Sequence, residues 1–321
     1  AEIEYKDIVS KSIYVSFPIV KSDVEDLVNS HVVIWTTTPW TIPGNQAIAF
    51  GQNINYVLID ADIIDDDVKD KKKLIISKNL LDQVIANCNI KEFSICKEFK
   101  GNILSETLSL HPLHEEGFNN NIPFLEGDFV DDSEGTGFVH IAPSYGEDDF
   151  NLAKKHNLEI KDIISDSGIY KEDTPLFSGL HVFKADSEVI KALKVKKYLI
   201  GVREYSHSYP HSWRSKKPVI YRTTPQWFIS MDNNDLRKKA IKGIENTNWL
   251  PSRSKNRIKN MVAERPDWCV SRQRAWGVPL TIFVDKKSGK PLRDEEIMKN
   301  IISEVEKMAL TFGCRQMLIN S

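Results

Sequence analysis

Before about residue 205, apolar positions recur in short runs that alternate or are rich in β-branched residues, a pattern that predicts strands. These runs are His31–Thr38, Tyr56–Ile59, Leu74–Ile76, the two parts of Glu92–Leu110 around a Gly101-Asn102 turn, and Phe129–Ile141, a strand pair divided at Glu134-Gly135. The stretch Asp60–Lys73 is dense in charge, so we expect a solvent loop there. The first part of the chain is therefore predicted to be β-rich.

Apolar residues spaced by three and four positions predict helices in other segments. The predicted helices are Asn79–Asn87, Glu147–His156, Asp186–Tyr198 with Asp186 or Ser187 as its cap, Leu236–Glu245, Ser252–Glu264 and Asp294–Met308. Pro210–Ile229 is expected to be extended, and Val278–Val284 is expected to be a strand. The pattern predicts an α+β fold class, β-rich up to about residue 205 and then more helical.

Length and composition limit the class of protein. A chain of 321 residues accommodates two domains, and 41% hydrophobic with 27% charged residues is ordinary for a soluble globular protein. No apolar run reaches the roughly 18 residues of a membrane span, and the first residues do not resemble a signal peptide. The four cysteines, Cys88, Cys96, Cys269 and Cys314, form no C-x-x-C pair, so we expect neither a zinc ribbon nor disulfides, and a cytoplasmic location.

Basic residues are concentrated in one segment, although the formal net charge is only -2. Residues 201–280 contain 16 Lys and Arg against 6 Asp and Glu, and Trp213, Tyr221 and Trp227 are interleaved with them. This combination is typical of nucleic-acid surfaces, whereas an evenly solvated surface is the structural alternative. Contact with a polyanion is one prediction from this segment, and the alternative stays open.

A threonine-rich motif, Trp35-Thr-Thr-Thr-Pro-Trp-Thr-Ile-Pro-Gly-Asn45, follows the first predicted strand. Strand alternation places Thr36 and Thr38 on one face and Thr37 on the other. The two prolines end the strand, and Asn45 stands where an amide commonly stabilises a turn. Because threonine favours strands, this motif alone is explained well by structure without chemistry.

A second motif, Gly135-Thr-Gly-Phe-Val-His-Ile-Ala-Pro143, ends a predicted strand, and Asp149 then lies in the first turn of the next predicted helix. Taken singly, His140 is explained as a buried strand residue and Asp149 as a helix cap. Taken together, a strand-to-helix turn can point both side chains into one cleft, and Gly137 permits close backbone approach. No Gly-x-Ser-x-Gly elbow or His-Glu-x-x-His pattern is present, so any hydrolysis would use positioned water on a reactive bond.

With these two motifs the chain resembles the isoleucyl-tRNA synthetase family, in its editing insertion and a short part of its catalytic domain, from near residue 1 to about residue 308. Valyl and leucyl relatives carry Thr-Thr-Arg-Pro in the first motif and lack the histidine, whereas this chain has Thr37-Thr-Pro-Trp40 and His140. Further matching stretches are His207–Trp213, Pro218–Phe228 and Arg265–Pro279.

The resemblance implies a barrel-like editing domain with a helical extension. Residues 1–205 would form the editing domain, residues 206–308 a return segment and catalytic-domain remnant, and residues 309–321 an out-of-frame or non-native tail. His-Ile-Gly-His and Lys-Met-Ser-Lys-Ser are absent, so ATP and magnesium are expected only in a full-length parent that ligates isoleucine to tRNA(Ile). Editing itself would need no cofactor.

The resemblance also implies the roles of single residues. The substrate would be tRNA(Ile) mischarged with valine, with valyl-adenylate as a further candidate. Asp149 would bind the α-ammonium group, and Thr36, Thr37, Thr38 and Asn45 would hold the terminal ribose and the attacking water. His140 would limit side-chain size. Further substrate contacts are expected from Trp35, Trp40 and Gly137.

Some positions depart from the family. Tyr145 stands where many relatives have histidine, and Ser212-Trp-Arg-Ser215 replaces a Cys-Trp-Arg-Cys zinc half-site, so no metal is expected. The run Ser271–Arg274 and Trp276 resemble part of a synthetic pocket and are expected to be structural here. A monomer is expected. A non-catalytic tRNA-binding module and a free-standing deacylase acting in trans remain alternatives.

Overall fold

The computed structural model describes residues 3–65, 68–271, 280–286 and 289–307. The chain forms two compact units that divide between Thr223 and Thr224. Three features named above lie outside the described residues: Arg272–Arg274, Trp276 and the tail 309–321. None of the helices in the described ranges is both long enough and apolar enough to cross a membrane.

In the part of the chain that the structure describes, the first unit is built on one sheet of ten strands with three α-helices around it. Its strands are β1 (Ile3–Lys21), β2 (His31–Thr36), β3 (Ala47–Phe50), β4 (Asn55–Asp65), β5 (Val68–Ser77), β6 (Ile90–Lys100), β7 (Leu108–Leu110), β8 (Asn121–Glu126), β9 (Phe138–Ile141) and β10 (Leu199–Ser212). Its helices are α1 (Leu81–Asn87), α2 (Glu147–Lys155) and α3 (Val182–Val195). The strand order is β6-β4-β5-β2-β1-β7-β8-β3-β9, with β10 beside β1.

The sheet curls so that β9 returns next to β2. The Ser77 amide at the end of β5 donates to the Thr136 carbonyl just before β9 (2.8 Å), which joins the edge strand β9 to β5. The predicted α+β, β-rich class and its barrel-like form are confirmed. The curl brings the end of β2 beside β9, although about a hundred residues separate them in sequence.

β1 organises the unit because it pairs with three other strands, β10, β2 and β7, along its 19 residues. Its inner part, including Ile13, Val15 and Phe17, is buried, whereas most of its first ten residues are at least partly exposed. The sequence pattern did not predict this strand. Its partners lie far along the chain, and local alternation therefore reveals little of the pairing.

Strand β2 separates two hydrophobic cores. Ile34 belongs to the main core with Trp40 and Phe17, whereas Val33 and Trp35 pack on the second core beneath α1. Each fully buried aliphatic side chain in such a core contributes about 1.5–3 kcal/mol of stability. Alternation along β2 thus fixes Thr36 on the main-core side and Trp35 on the opposite side.

The predicted solvent loop Asp60–Lys73 is wrong. The chain instead continues β4 and β5 as a long antiparallel hairpin, in which Asp60 pairs with Lys73 and Asp62 with Lys71. Opposite charges that face each other across strands stabilise a hairpin, and Lys71 Nζ lies 3.1 Å from Asp60 Oδ2. A charged run therefore conceals a strand pair when its signs are complementary.

Two other predicted elements differ from the structure. Helix α3 begins at Val182, with His181 at its N-cap accepting from the Phe183 amide (3.3 Å), so Asp186 is not its cap. Of the predicted strand pair Phe129–Ile141, only β9 forms, because the preceding residues are in turns and bends. The predicted helices α1 and α2 are confirmed to within two residues.

The second unit contains a short pairing of β11 (Phe228–Ile229) with β12 (Trp268–Cys269) and the helices α4 (Leu236–Glu245), α5 (Arg253–Ala263) and α6 (Glu295–Lys307). All three helices match their predicted spans closely. From Leu280 onward, the described part of the predicted strand Val278–Val284 has only one bridge, between Val284 and Pro291. The predicted boundary after residue 205 falls inside β10, which continues along β1, and the first unit extends to Thr223.

Candidate functional site

The threonine motif closes β2 and leads into a short 3-10 helix, Pro39–Gly44. Thr36 Oγ1 accepts from the Thr38 amide (3.1 Å), and the two hydroxyl oxygens are 3.2 Å apart, so both face the same side as strand alternation predicts. Thr37, between them, is half-buried. The motif therefore presents two neighbouring hydroxyl groups at the end of a buried strand.

His140 on β9 is held by two side chains from the other motif. Its Nδ1 lies 2.6 Å from Asn45 Nδ2, and its Nε2 lies 3.0 Å from Thr41 Oγ1. The antiparallel pairing of β3 with β9, which sets Ile48 opposite His140, brings these residues together. Sequence reasoning placed His140 and Asn45 in one site, and the structure joins them by a direct hydrogen bond.

The hydrogen-bond directions fix the protonation of His140. Asn45 Nδ2 also contacts the Ala47 carbonyl (3.0 Å), which requires a donor, so the amide nitrogen faces the ring. Nδ1 is then the acceptor, and the ring proton is on Nε2, from where it is donated to Thr41 Oγ1. The Thr41 hydroxyl in turn donates a hydrogen bond to the Thr38 carbonyl (2.8 Å). A charged imidazole would also carry a proton on Nδ1, which would then face the donor Asn45 Nδ2. All of these hydrogen bonds can therefore form together only when the ring is neutral.

Burial supports the same assignment. Loss of water around the ring, together with repulsion from nearby His111, lowers the pKa of His140 to about 3. The ring is therefore uncharged at neutral pH, and both nitrogens are already bonded. This geometry suits a rigid wall and does not suit a general base.

Asp149 lies in the first turn of α2, close to His140 along the chain. Its Oδ2 accepts from the Ala142 amide (2.7 Å), and Ala142 follows His140 by two residues. Burial raises the pKa of Asp149 to about 6, and the bond from Ala142 opposes this shift. A half-buried carboxylate with no cationic partner in its described contacts is suited to an ammonium ligand, because the ligand's charge would favour ionisation.

Two expected substrate contacts lie away from this network. Trp35 packs edge-on against Tyr205 (5.1 Å between ring centroids) on the second-core side of β2. Gly137 has a positive φ of 79°, its carbonyl accepts from the Tyr56 hydroxyl (2.7 Å), and a Cβ there would come within 2.5 Å of Ser77. Packing around Trp35 and the backbone conformation at Gly137 explain these two residue types without a contact to substrate.

Tyr145 packs against the 3-10 helix Pro39–Gly44, to which Trp40 belongs. Their rings meet edge-to-face at 5.2 Å, and a Cβ on Gly44 would come within 2.8 Å of the Tyr145 ring. The Tyr145 hydroxyl accepts from the Ile163 amide (3.0 Å) and donates to Asp162 (3.4 Å). Tyr145 is thus a packed support for the segment that carries Thr41.

Sequence reasoning missed two residues that contact this region, Thr41 and Asp186. Thr41 lies three residues after Thr38, and side chains at that spacing eclipse each other in a 3-10 helix. The proline that follows Thr38 was the available signal for such a turn. Asp186 gave no comparable signal, because its partner, the Trp40 amide, is 146 residues away.

Metal ligation has no support within the described ranges, where no group of three or more His, Cys, Asp or Glu side chains is arranged to hold an ion. Cys88 and Cys96 are free thiols, and the Cys269 thiol donates to Gln226 Oε1 (2.8 Å). The chemistry available to this site is that of hydroxyls, one amide, one neutral imidazole and one carboxylate.

Comparison with known proteins gives concordant matches. The family described as tRNA synthetases class I (I, L, M and V) matches residues 1–314. The chain is 47% identical over 307 residues to the isoleucine–tRNA ligase of Pelagibacter ubique, covering 96% of this chain and 34% of that protein. It is 41% identical over 318 residues to the isoleucine–tRNA ligase of Gluconobacter oxydans, covering 94% and 33% respectively.

The chain spans about a third of the length of the curated relatives that it matches. Among solved structures, it is similar to the crystal structure of the P. falciparum cytosolic leucyl-tRNA synthetase editing domain. The TM-score is 0.44 with 14% sequence identity, over 62% of this chain and 100% of that chain.

Proposed function

Since the chain belongs to the class I tRNA synthetases (I, L, M and V), we propose that its first unit is an editing domain that hydrolyses valine from mischarged tRNA(Ile). The observation that carries the proposal is the hydrogen-bonded network of Thr38, Thr41, Asn45 and His140, together with the half-buried carboxylate of Asp149, which accepts from the Ala142 amide two residues after His140. A longer parent would ligate isoleucine to the same tRNA with ATP and magnesium.

The substrate's two polar ends match the available groups. Asp149 would accept hydrogen bonds from the α-ammonium group, and the hydroxyls of Thr36 and Thr38 would face the terminal ribose. Asn45 Oδ1 is buried and has no hydrogen-bond partner in the described part of the chain. A buried acceptor left unpaired costs about 1–3 kcal/mol, so this oxygen is suited to a ribose hydroxyl or the attacking water.

The reaction needs positioning more than acid–base strength, because an aminoacyl ester is already activated. Water attacks the ester carbonyl carbon, the bond to the ribose oxygen breaks, and the water proton ends on that oxygen. Holding ester and water together converts the encounter into an effectively unimolecular step. In this scheme His140, which is neutral and hydrogen-bonded at both ring nitrogens, forms part of the pocket wall that limits the size of the acyl group.

The wall provides the selectivity that a synthetic pocket lacks. One methylene in an apolar pocket is worth only about 1–3 kcal/mol, a limit that isoleucyl-tRNA synthetases themselves illustrate with isoleucine and valine. An editing pocket works in the opposite sense, since it excludes the larger side chain by volume. His140 is suited to this role because Asn45 and Thr41 prevent its ring from turning aside.

A direct assay tests the proposal. We expect the 321-residue chain to release valine from valyl-tRNA(Ile) at least about tenfold faster than isoleucine from isoleucyl-tRNA(Ile). Release of labelled amino acid from each charged tRNA measures both rates under identical conditions. Binding of tRNA without release of valine would reject the hydrolytic function and favour a non-catalytic tRNA-binding module.

The shifted pKa values of Asp149 and His140 predict how kcat/KM for valyl-tRNA depends on pH. We expect the valyl-tRNA rate to fall as the pH drops through about 6, because protonated Asp149 loses the charge that binds ammonium. No additional inflection from His140 is expected above pH 5, since its pKa is about 3. Rates measured from pH 5 to 8 test both points. An acid limb that persists in Asp149→Asn but disappears in Asp186→Asn, whose carboxyl group also has a pKa of about 6 in the wild type, would contradict the first.

A further inference from the structure

The backbone of the 3-10 helix Pro39–Gly44 is clamped by side chains from outside the motif. The Trp40 amide donates to Asp186 Oδ1 on α3 (2.9 Å). The Trp40 carbonyl accepts from the Tyr170 hydroxyl, and the Ile42 carbonyl lies 2.9 Å from His111 Nε2. Three side chains from distant parts of the first unit thus hydrogen-bond the backbone of two residues, Trp40 and Ile42, in one short segment.

The clamped segment carries the partners of His140. Thr41 lies inside it and Asn45 directly follows it, and these two residues bond the two ring nitrogens. A 3-10 helix has poor internal hydrogen-bond geometry, and its N-cap, Thr38, makes no side-chain capping bond. The position of the segment is therefore set largely by its external partners.

Asp186 is the charged member of the clamp, and it is half-buried. Loss of water raises its pKa to about 6, while the bond from Trp40 and the charge of Lys11 oppose the shift. Near neutral pH it is a carboxylate, and a charged acceptor binds a backbone amide about twice as strongly as a neutral one. Its described contacts do not include Thr36, Thr38, His140 or Asp149, so it lies outside the reacting groups.

We propose that Asp186 is a positioning residue of the hydrolytic site: by holding the Trp40 amide it fixes Thr41 and Asn45 against His140, and so sets the size limit for the acyl group. This proposal rests on the proposed editing function. Loosening the segment would let the His140 ring shift, and a shift of about 1 Å near a reacting group changes rates by up to about a hundredfold.

The test compares Asp186→Ala with Asp186→Asn in the 321-residue chain. We expect Asp186→Ala to raise the ratio of isoleucyl-tRNA to valyl-tRNA hydrolysis about tenfold and to lower kcat for valyl-tRNA more than it raises KM. Asp186→Asn retains an oxygen acceptor for the Trp40 amide, so its ratio should stay within about threefold of the wild type. Glu188→Ala, an exposed acid on the same helix, is the matched control and should change neither.

A second variant tests the same clamp in case Asp186→Ala does not fold. Tyr170→Phe removes the bond to the Trp40 carbonyl while keeping the buried ring, and we expect it to raise the same ratio. With an active wild type, an unchanged ratio in a folded Asp186→Ala chain would overturn the role of Asp186 and leave the editing function standing. If Asp186→Ala does not fold, an unchanged ratio in folded Tyr170→Phe would overturn the clamp as the element that sets the size limit. An Asn variant as defective as the Ala variant would also overturn the role of Asp186. An inactive wild type would reject the editing function and this assignment together.

Discussion

Asp149→Asn is expected to reduce hydrolysis of valyl-tRNA(Ile) by about a hundredfold or more, because a charge-assisted hydrogen bond to the α-ammonium group is lost in a half-buried site. The amide oxygen of asparagine still accepts from Ala142, so the turn between β9 and α2 is retained. The loss is therefore one of charge at a single position. Initial rates with saturating and subsaturating valyl-tRNA measure it.

The matched control is Asp148→Asn. Asp148 is exposed in the same first turn of α2, so both variants lose one favourable interaction with the helix dipole, worth about 0.3–1 kcal/mol. Only Asp149→Asn removes the charge that would face the substrate. Equal rates for the two variants would show that Asp149 does not bind the ammonium group.

Asp149→Asn should favour the stability of the folded chain at neutral pH although it lowers the activity. Burial raises the pKa of Asp149 above its value in the unfolded chain, so the folded state binds more protons between about pH 4 and 6. The free energy of unfolding that this residue contributes is highest below pH 4 and decreases as the pH rises through 6. At pH 7.5 the asparagine variant avoids the cost of a buried charge, and this contribution favours its thermal stability relative to the wild type.

Local sequence patterns predicted the helices better than the strands. Helices α1, α2, α4 and α5 depend on contacts three and four residues apart, which the sequence displays directly. β1 and the β4–β5 hairpin depend on partners across the sheet, and their charged residues hid them. Complementary lysines and aspartates pair between strands as readily as they face solvent, so a charged run alone does not identify a loop.

The site could be predicted where the local secondary structure of a motif determines the relative positions of its side chains. The end of a strand followed by a helix start placed His140 near Asp149, and strand alternation placed Thr36 with Thr38. The sequence could not reveal that His140 is neutral and bonded at both nitrogens, because its partners depend on a 3-10 turn and on the β3–β9 pairing. Asp186 was assigned to a helix cap for the same reason, since its acceptor role depends on tertiary contact.

His140→Ala distinguishes a wall from a base. If the ring only limits size, its removal should raise hydrolysis of isoleucyl-tRNA(Ile) from background to within about tenfold of the valyl-tRNA rate, because one extra methylene is then accommodated. The valyl-tRNA rate itself should stay within about tenfold of the wild type. A general base would give the opposite result, a fall of about 10²–10⁴ for both substrates.

Two further variants complete the argument. His140→Gln keeps much of the bulk and can bond both Asn45 and Thr41, so it should discriminate better than alanine. His156→Ala removes an exposed histidine just after α2 and should leave both rates unchanged. Because the alanine variant also leaves two buried polar groups without their partner, its fold must be checked by circular dichroism. A folded His140→Ala chain that still spares isoleucyl-tRNA would exclude His140 as the size-limiting wall.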